Sequence, residues 1–510
     1  MTMDSTKTGP NRRQILAGIS ATALGAALMS GATLAFAQST GTLRVACNGS
    51  ASDSLDPHRT QGQVTDIVRF SNLFDGLCEY APDGTVQNVL AESFTPNADA
   101  TEWTVRLVPG VTTHAGRPYE AEDLIASVRR ILDPEHPTRG ASLIAFVDAE
   151  GLEAVDAQTV LFRLKRAYGP FRDVWANRYL RMVPRDFDPS APDGTGPFKV
   201  VSFTPGRESV FDRFEGYFRE PALVERVVIS NIADATAAIN ALRSGQIDMT
   251  YLVPISEAAI IEADPSMQLV NNPSMLSIPI YMRTDVAPFD DPRVREAIRL
   301  IANREQMVEI ALSGYGVVGN DMQGRNVTPC GDTPVPQRTQ DIERARALLA
   351  EAGQSDLDVE IATTAGTPGM VECAQILAEQ ARAAGISIRA NVMDEATYLA
   401  NYGNWSFGVD FLSDTYLPVV ARSLVPGGTF NNTHWNDAEF NALFERATAS
   451  SDEAERCEII HQMRTIEHER GGNIVWGFAN TLHAVGANVQ GVVPYVVNSA
   501  FNNLRVVSKS

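Results

Sequence analysis

Residues 73–134 read LFDGLCEYAPDGTVQNVLAESFTPNADATEWTVRLVPGVTTHAGRPYEAEDLIASVRRILDP, and the order of features inside them narrows the fold more than any other stretch. Pro82-Asp83-Gly84 is a turn: the proline presets φ, the aspartate bonds its own backbone and the glycine accepts positive φ. Trp103, Val105 and Leu107 then alternate with polar side chains over residues 101–107, the period of a half-buried strand. Residues 120–132 follow with Leu124, Ile125, Val128, Ile131 and Leu132 on one helical face. A turn, a strand and an amphipathic helix thus succeed one another without a long loop between them.

Around that stretch lies a chain of 510 residues, more than one hydrophobic core usually supports, so at least two lobes are expected. Hydrophobic residues at 44% and charged residues at 20% describe an ordinary globular protein. The formal charge of −20 argues against nucleic acid and anionic membranes as partners, because phosphate recognition needs a basic stripe.

Residues 1–37 carry the marks of a twin-arginine export signal. Arg12-Arg13 precedes a weakly apolar run reaching Phe36, and Ala35-Phe36-Ala37 offers a cleavage site before Gln38. No later apolar run is long enough to span a bilayer, so the mature chain is expected in the periplasm and not itself in the membrane. Cys47, Cys78, Cys330, Cys373 and Cys457 form no CxxC pair; an oxidising compartment permits a disulfide, whose pairing the sequence leaves open.

Strand-like runs at 42–47, 159–164 and 224–229 give way to a second half richer in helix signals. Asp291-Pro292 and Asn303 are helix starts with capping side chains, and Gly314, Gly353 and Gly385 are helix stops. Helices are expected at 341–352, 371–384 and 437–449, then from a Ser450/Glu453 capping box through Glu469. Strands at 358–361, 386–392 and 407–412 alternate with them, which reads as α/β units; short strands at 473–478 and 504–507 close the chain.

The catalytic motifs fail. The GxGxxG match at Gly314-Tyr315-Gly316-Val317-Val318-Gly319 follows a helical run rather than a strand, so it reads as a helix stop and loop, not a dinucleotide site. His461 and His468 stand two turns apart on one helix, too far to share a metal ion. No enzyme, metal or cofactor is expected.

Several short motifs occur in a familiar order. They are Ser54-Leu55-Asp56-Pro57, Phe74-Asp75-Gly76-Leu77, Pro82-Asp83-Gly84, LAESF at 90–94, GTGPF at 194–198, LRSGQID at 242–248 and PFDDPRVREA at 288–297. Their order resembles that of the extracellular solute-binding proteins of ABC importers, the peptide, nickel and opine-binding class called family 5. The resemblance runs through nearly the whole chain after residue 37. It implies an α/β, two-lobed periplasmic binding protein fold with a hinge and an extra subdomain in lobe I. Lobe I would comprise residues 38–275 plus 477–510, with the subdomain at about 72–192, and lobe II residues 276–476.

The implied function is capture of a small zwitterionic or amine-bearing solute, a short peptide or opine-like compound, by closure of the lobes. The loaded form, a monomer, would dock on a membrane permease with its ATPase subunits; presentation to a chemoreceptor or sensor kinase is the alternative. Asp414, four residues before Pro418, stands where peptide-binding relatives hold the ligand's ammonium. Arg283 departs from the family's usual Asn and offers a fork for a carboxylate or phosphate. Val371-Glu372 replaces the Arg of dipeptide binders, which argues against a plain dipeptide. Gln61, Gly62 and Gln63 match a ligand-facing stretch, Phe411 an apolar wall, and Arg178 with Tyr179 a segment bordering the cleft.

Overall fold

The computed structural model describes residues 41–60, 64–325 and 330–510. The expected export signal and the candidate ligand residues Gln61, Gly62 and Gln63 lie outside the described residues.

The opening stretch forms as its pattern requires. Gly84 closes the turn at φ 86°, joining strands Cys78–Tyr80 and Val86–Asn88. Glu102–Leu107 is an inner strand of a four-stranded antiparallel sheet, between Ala91–Pro96 and Thr159–Arg163, with Glu153–Asp156 at the far edge. Helix Ala121–Ile131 opens with Asp123 accepting the Glu120 amide at 2.9 Å, which satisfies one of the free donors of a first turn. Its buried face of Leu124, Ile125, Val128 and Ile131 packs in one core with Trp103, Phe162, Phe171 and Trp175. Each such aliphatic side chain contributes about 1.5–3 kcal/mol on burial, so this face, more than helix propensity, holds the helix on the sheet.

Two larger sheets carry the rest. In the nine-stranded sheet the strand order is Leu412–Ser413, Met267–Ser277, Gly477–Gly486, Met249–Thr250, Thr42–Cys47, Arg226–Asn231, Glu208–Arg213 and Phe198–Thr204, with Gly316–Val318 also on Gly477–Gly486. The five-stranded sheet runs Ser387–Met393, Asp358–Thr364, Phe407–Val409, Ile280–Met282 and Asn473–Ile474. Its parallel strands Asp358–Thr364 and Ser387–Met393 are bridged by helix Met370–Ala383, the α/β unit the sequence pattern predicts. Helices Pro292–Ile301 and Arg304–Ala311 start at Asp291 and Asn303, whose side chains accept amides as expected.

The chain crosses between the two large sheets at three adjacent places: between Ser277 and Ile280, between Val409 and Leu412, and between Ile474 and Gly477. The single strand expected at 407–412 is therefore two strands in two sheets. Asp410 sits at the break, where its amide donates to Pro279 O and its carboxylate accepts Tyr402 Oη at 2.7 Å and Asn432 Nδ2 at 2.8 Å. Two other expectations shift. The helix Glu453–Arg470 is capped by Asp452 rather than Ser450, because Asp452 Oδ1 reaches the amides of both Ala454 and Glu455. The run at 504–507 is a 3₁₀ turn, Leu504–Val506, whose first amide is taken by Asn72 Oδ1 instead of a sheet partner.

Cys330 and Cys457 form a disulfide with Cα atoms 4.9 Å apart, while Cys47, Cys78 and Cys373 are buried free thiols. The bridge joins positions 127 residues apart, so it removes much freedom from the unfolded chain. Cys457→Ser is expected to lower the unfolding free energy by about 2–4 kcal/mol, visible as a drop in urea midpoint; an unchanged midpoint would contradict it.

Candidate functional site

A cavity of about 310 Å³ lies between two walls that are distant in sequence. One wall comes from Tyr80 and Val86 of the opening stretch and from Tyr168, Arg172 and Asp173, which follow strand Thr159–Arg163. The other is built by residues 414–418, by Arg456, Ile460 and Arg464 of helix Glu453–Arg470, and by Arg325 with Cys330. The walls touch. Gly169 N donates to Thr448 O at 2.7 Å, and a Cβ at Gly169 would lie 1.6 Å from Ser450 O, so only glycine permits this approach. Arg456 Nη2 lies 3.6 Å from Asp173 Oδ2, an ion pair across the same seam.

Asp414 stands next to Thr415, the residue that opens helix Tyr416–Ser423. Its Oδ1 accepts the Thr415 amide at 2.9 Å and its Oδ2 meets Arg422 Nη2 at 3.2 Å. Burial pushes its pKa up, and the Arg422 guanidinium, the Thr415 amide and Arg178 oppose the rise. Asp414 thus stands in the cavity wall as a carboxylate already half-answered by Arg422. Asp173 opposite is also raised by burial, with Arg456 and Arg172 pulling it back.

The other sequence candidates fall in different places. Arg283 does not line the cavity; its fork closes on Asp285, Nε to Oδ1 at 2.9 Å and Nη2 to Oδ2 at 2.8 Å, and His434 Nδ1 shares Oδ2 at 3.0 Å. Phe411 is 45% exposed at the sheet-to-sheet crossing and does not line the cavity either. Arg178 stacks over Tyr179 at 5.6 Å, beside the cavity residue Asn177 and close enough to act on Asp414.

Arg325, Arg464 and Asp173 escaped the sequence reading. Arg464 did leave a trace: Ile460, Arg464 and Glu467 continue the helix face of Ile459 and Met463, so charges stand where an amphipathic helix would bury apolar groups. Behind the wall, Glu467 accepts the Gln323 amide at 2.7 Å and the Tyr416 hydroxyl at 3.0 Å, and burial pushes its carboxyl up to about 8. Among the described residues no group of His, Cys, Asp and Glu could hold a metal ion, and no helix is long and apolar enough to cross a membrane.

The cavity thus carries charges of both signs on its two walls. The description "Bacterial extracellular solute-binding proteins, family 5 Middle" matches residues 85–432, more than half of the chain. The chain therefore belongs to that family of non-enzymatic solute-binding proteins. It is similar to the glutathione-binding protein GsiB of Pectobacterium atrosepticum, 24% identical over 478 residues that cover 88% of this chain and 90% of that protein. Its fold is similar to HbpA2 from Haemophilus parasuis, with TM-score 0.80 at 22% identity, covering 92% of this chain and 100% of the other. It is also similar to AgaA in complex with agropinic acid from A. tumefaciens R10, with TM-score 0.71 at 24% identity, covering 92% and 99%.

Proposed function

We propose that this chain is the periplasmic substrate-binding component of an ABC importer, and that it captures a small zwitterionic or amine-bearing solute by lobe closure. In this reading residues 1–37 are a cleaved twin-arginine signal, residues 38–275 with 477–510 form lobe I, and residues 276–476 form lobe II. The observation that carries it is the roughly 310 Å³ cavity whose one wall comes from residues between 80 and 177, whose other comes from Arg325, residues 414–418 and helix Glu453–Arg470, and whose lining carries Asp173, Asp414 and four arginines. A solute that bridges such walls favours the closed form by the difference in its affinity for closed and open states. The relatives named for glutathione and agropinic acid fit a short peptide or opine-like solute. Asp414 is the group for an ammonium: a buried carboxylate is stabilised by a cation, and Arg422 satisfies only one of its oxygens.

Native mass spectrometry of freshly purified protein, followed by a thermal-shift panel, tests the reading. A true ligand at 100 times its dissociation constant should add about 2.7 kcal/mol of stability. Asp414→Asn keeps the contact with the Thr415 amide but not the charge, so it is expected to lose most of that gain for an amine-bearing ligand. A full shift in the variant would remove Asp414 from the site.

A further inference from the structure

We propose that Gly169 is the residue on which the cleft closes: its backbone seats on the end of helix Ala438–Ala449 only when the lobes are shut, and that seat holds them around the solute. The inference rests on the importer reading and adds to it the contact that governs release.

The two walls of the cavity have separate cores. Trp103, Phe162, Phe171 and Trp175 lie behind the first, Phe440, Phe444, Ile459 and Met463 behind the second, and no residue belongs to both. The hydrogen bonds and ion pairs that cross beside the cavity are few. Gly169 N donates to Thr448 O at 2.7 Å, Arg456 Nη2 lies 3.6 Å from Asp173 Oδ2, and Arg166 Nη1 lies 4.0 Å from the exposed Glu445 Oε2. Polar contacts of this kind exchange for water at small cost, so the walls can part without uncovering either core.

Gly169 makes the tightest of these contacts. Thr448 carries one of the last four carbonyls of its helix, which have no intrahelical partner, so the Gly169 amide answers an acceptor that otherwise needs water. Both sides of the contact are backbone, and both are held. Tyr168 stacks on Phe146 with ring centroids 3.8 Å apart, its amide donates to Ala100 O at 3.0 Å, and Phe171 is fully buried. Opposite, Arg456 Nη1 donates to Ser450 O at 3.1 Å and Ser450 N to Arg446 O at 3.0 Å. A Cβ at position 169 would lie 1.6 Å from Ser450 O, 2.1 Å from Ser450 C and 2.7 Å from Ser451 N. With neither backbone free to yield, an alanine there keeps the walls apart. Gly169 does not hold a positive φ, so alanine is unstrained once they are apart. Its neighbours Tyr168 and Pro170 line the cavity, as do Asp173 and Arg456, so the seat adjoins the space a solute would fill. Gly169 is thus a positioning residue: it acts on the solute through the two walls.

The test compares the unaltered protein with Gly169→Ala in calorimetric titrations and stopped-flow release of glutathione, trialanine and agropinic acid, and in melting without solute. Each solute that the unaltered protein binds is expected to bind the variant roughly tenfold or more weakly, with the loss in the release rate. The melting temperature without solute is expected to be the same for both. Full affinity in the variant, or a loss seated in the capture rate with release unchanged, would overturn the inference and leave the importer reading standing. So would a solute-free melting temperature lowered by several degrees, because the seat would then belong to the resting fold. If the unaltered protein binds none of the three, the proposed solute class fails, and hydrogen exchange in the solute-free protein decides the role of Gly169. A Gly169 amide that exchanges far faster than the Tyr168 amide upholds the closing contact; equal protection of the two defeats it.

Discussion

Asp321→Asn is expected to lower the unfolding free energy by about 3–5 kcal/mol, the cost of leaving buried cations without their anion. Asp321 is 1% exposed, accepts Nη2 of Arg304 at 2.6 Å and forms an ion pair with Arg338, whose Nε lies 2.8 Å away. The cluster continues through Glu296, which pairs with Arg338 and with Arg299 at 2.9 Å. Arg299 and Arg338 then donate to Gly471 O at 2.6 Å and His468 O at 2.7 Å, so the cluster ties helices Pro292–Ile301 and Arg304–Ala311 to the end of Glu453–Arg470. The surrounding arginines hold the Asp321 carboxyl below the usual range despite its burial. Asparagine is the informative replacement. Asp321 has φ 57°, and Asn tolerates that left-handed backbone about as well as Asp, so the loss measures charge and not strain. A urea titration should show a lower midpoint with an unchanged slope. A loss below about 1 kcal/mol would mean that the cluster is no stronger than an exposed pair.

That cluster also marks where sequence reading stops. Local chemistry was legible: Asp291, Asn303 and Asp437 cap the helices they precede, and Leu124, Ile125, Val128 and Ile131 bury the face their spacing defines. What depends on distant partners was not. The run at 407–412 reads as one strand although Asp410 interrupts its apolar residues, because the partners that hold Asp410 at the break, Pro279, Tyr402 and Asn432, lie elsewhere in the sequence. Nor does spacing choose Cys330 and Cys457 from five thiols. The family resemblance brought Asp414 forward, and it lines the cavity. Arg283 was chosen for its unusual residue type alone. Its partner stood two residues along in Asp285, close enough in sequence to have raised the local pairing. Arg325 gave no periodic signal at all, since its contact with Ser274 and its place beside Arg464 are products of the fold.

Glu467→Gln is expected to become steadily more stable than the unaltered protein as pH rises from about 4.5 to 8. Glu467 is 1% exposed, and burial outweighs the Gln323 amide, Arg464 and the Tyr416 hydroxyl to push its carboxyl from 4.5 up to about 8. A raised carboxyl binds its proton more tightly in the folded than in the unfolded chain. Its contribution to stability is therefore full below pH 4.5 and is lost as pH climbs to the folded value. At 1.36 kcal/mol per unit the swing is on the order of 5 kcal/mol. Glutamine imitates the protonated acid toward the Gln323 amide and the Tyr416 hydroxyl but cannot ionise, so it escapes the loss. Other groups slope the absolute curve: Asp410, pushed up to about 6 by burial, acts in the same direction at lower pH. His58 and His468, lowered to about 4, and His483, lowered to about 3, act oppositely, losing stability as pH falls from 6.5 through those values. All four are common to both proteins and cancel in the difference. Urea midpoints of the pair at pH 5, 7 and 9 measure it directly. Parallel pH profiles would mean that Glu467 is ionised in the folded chain at neutral pH.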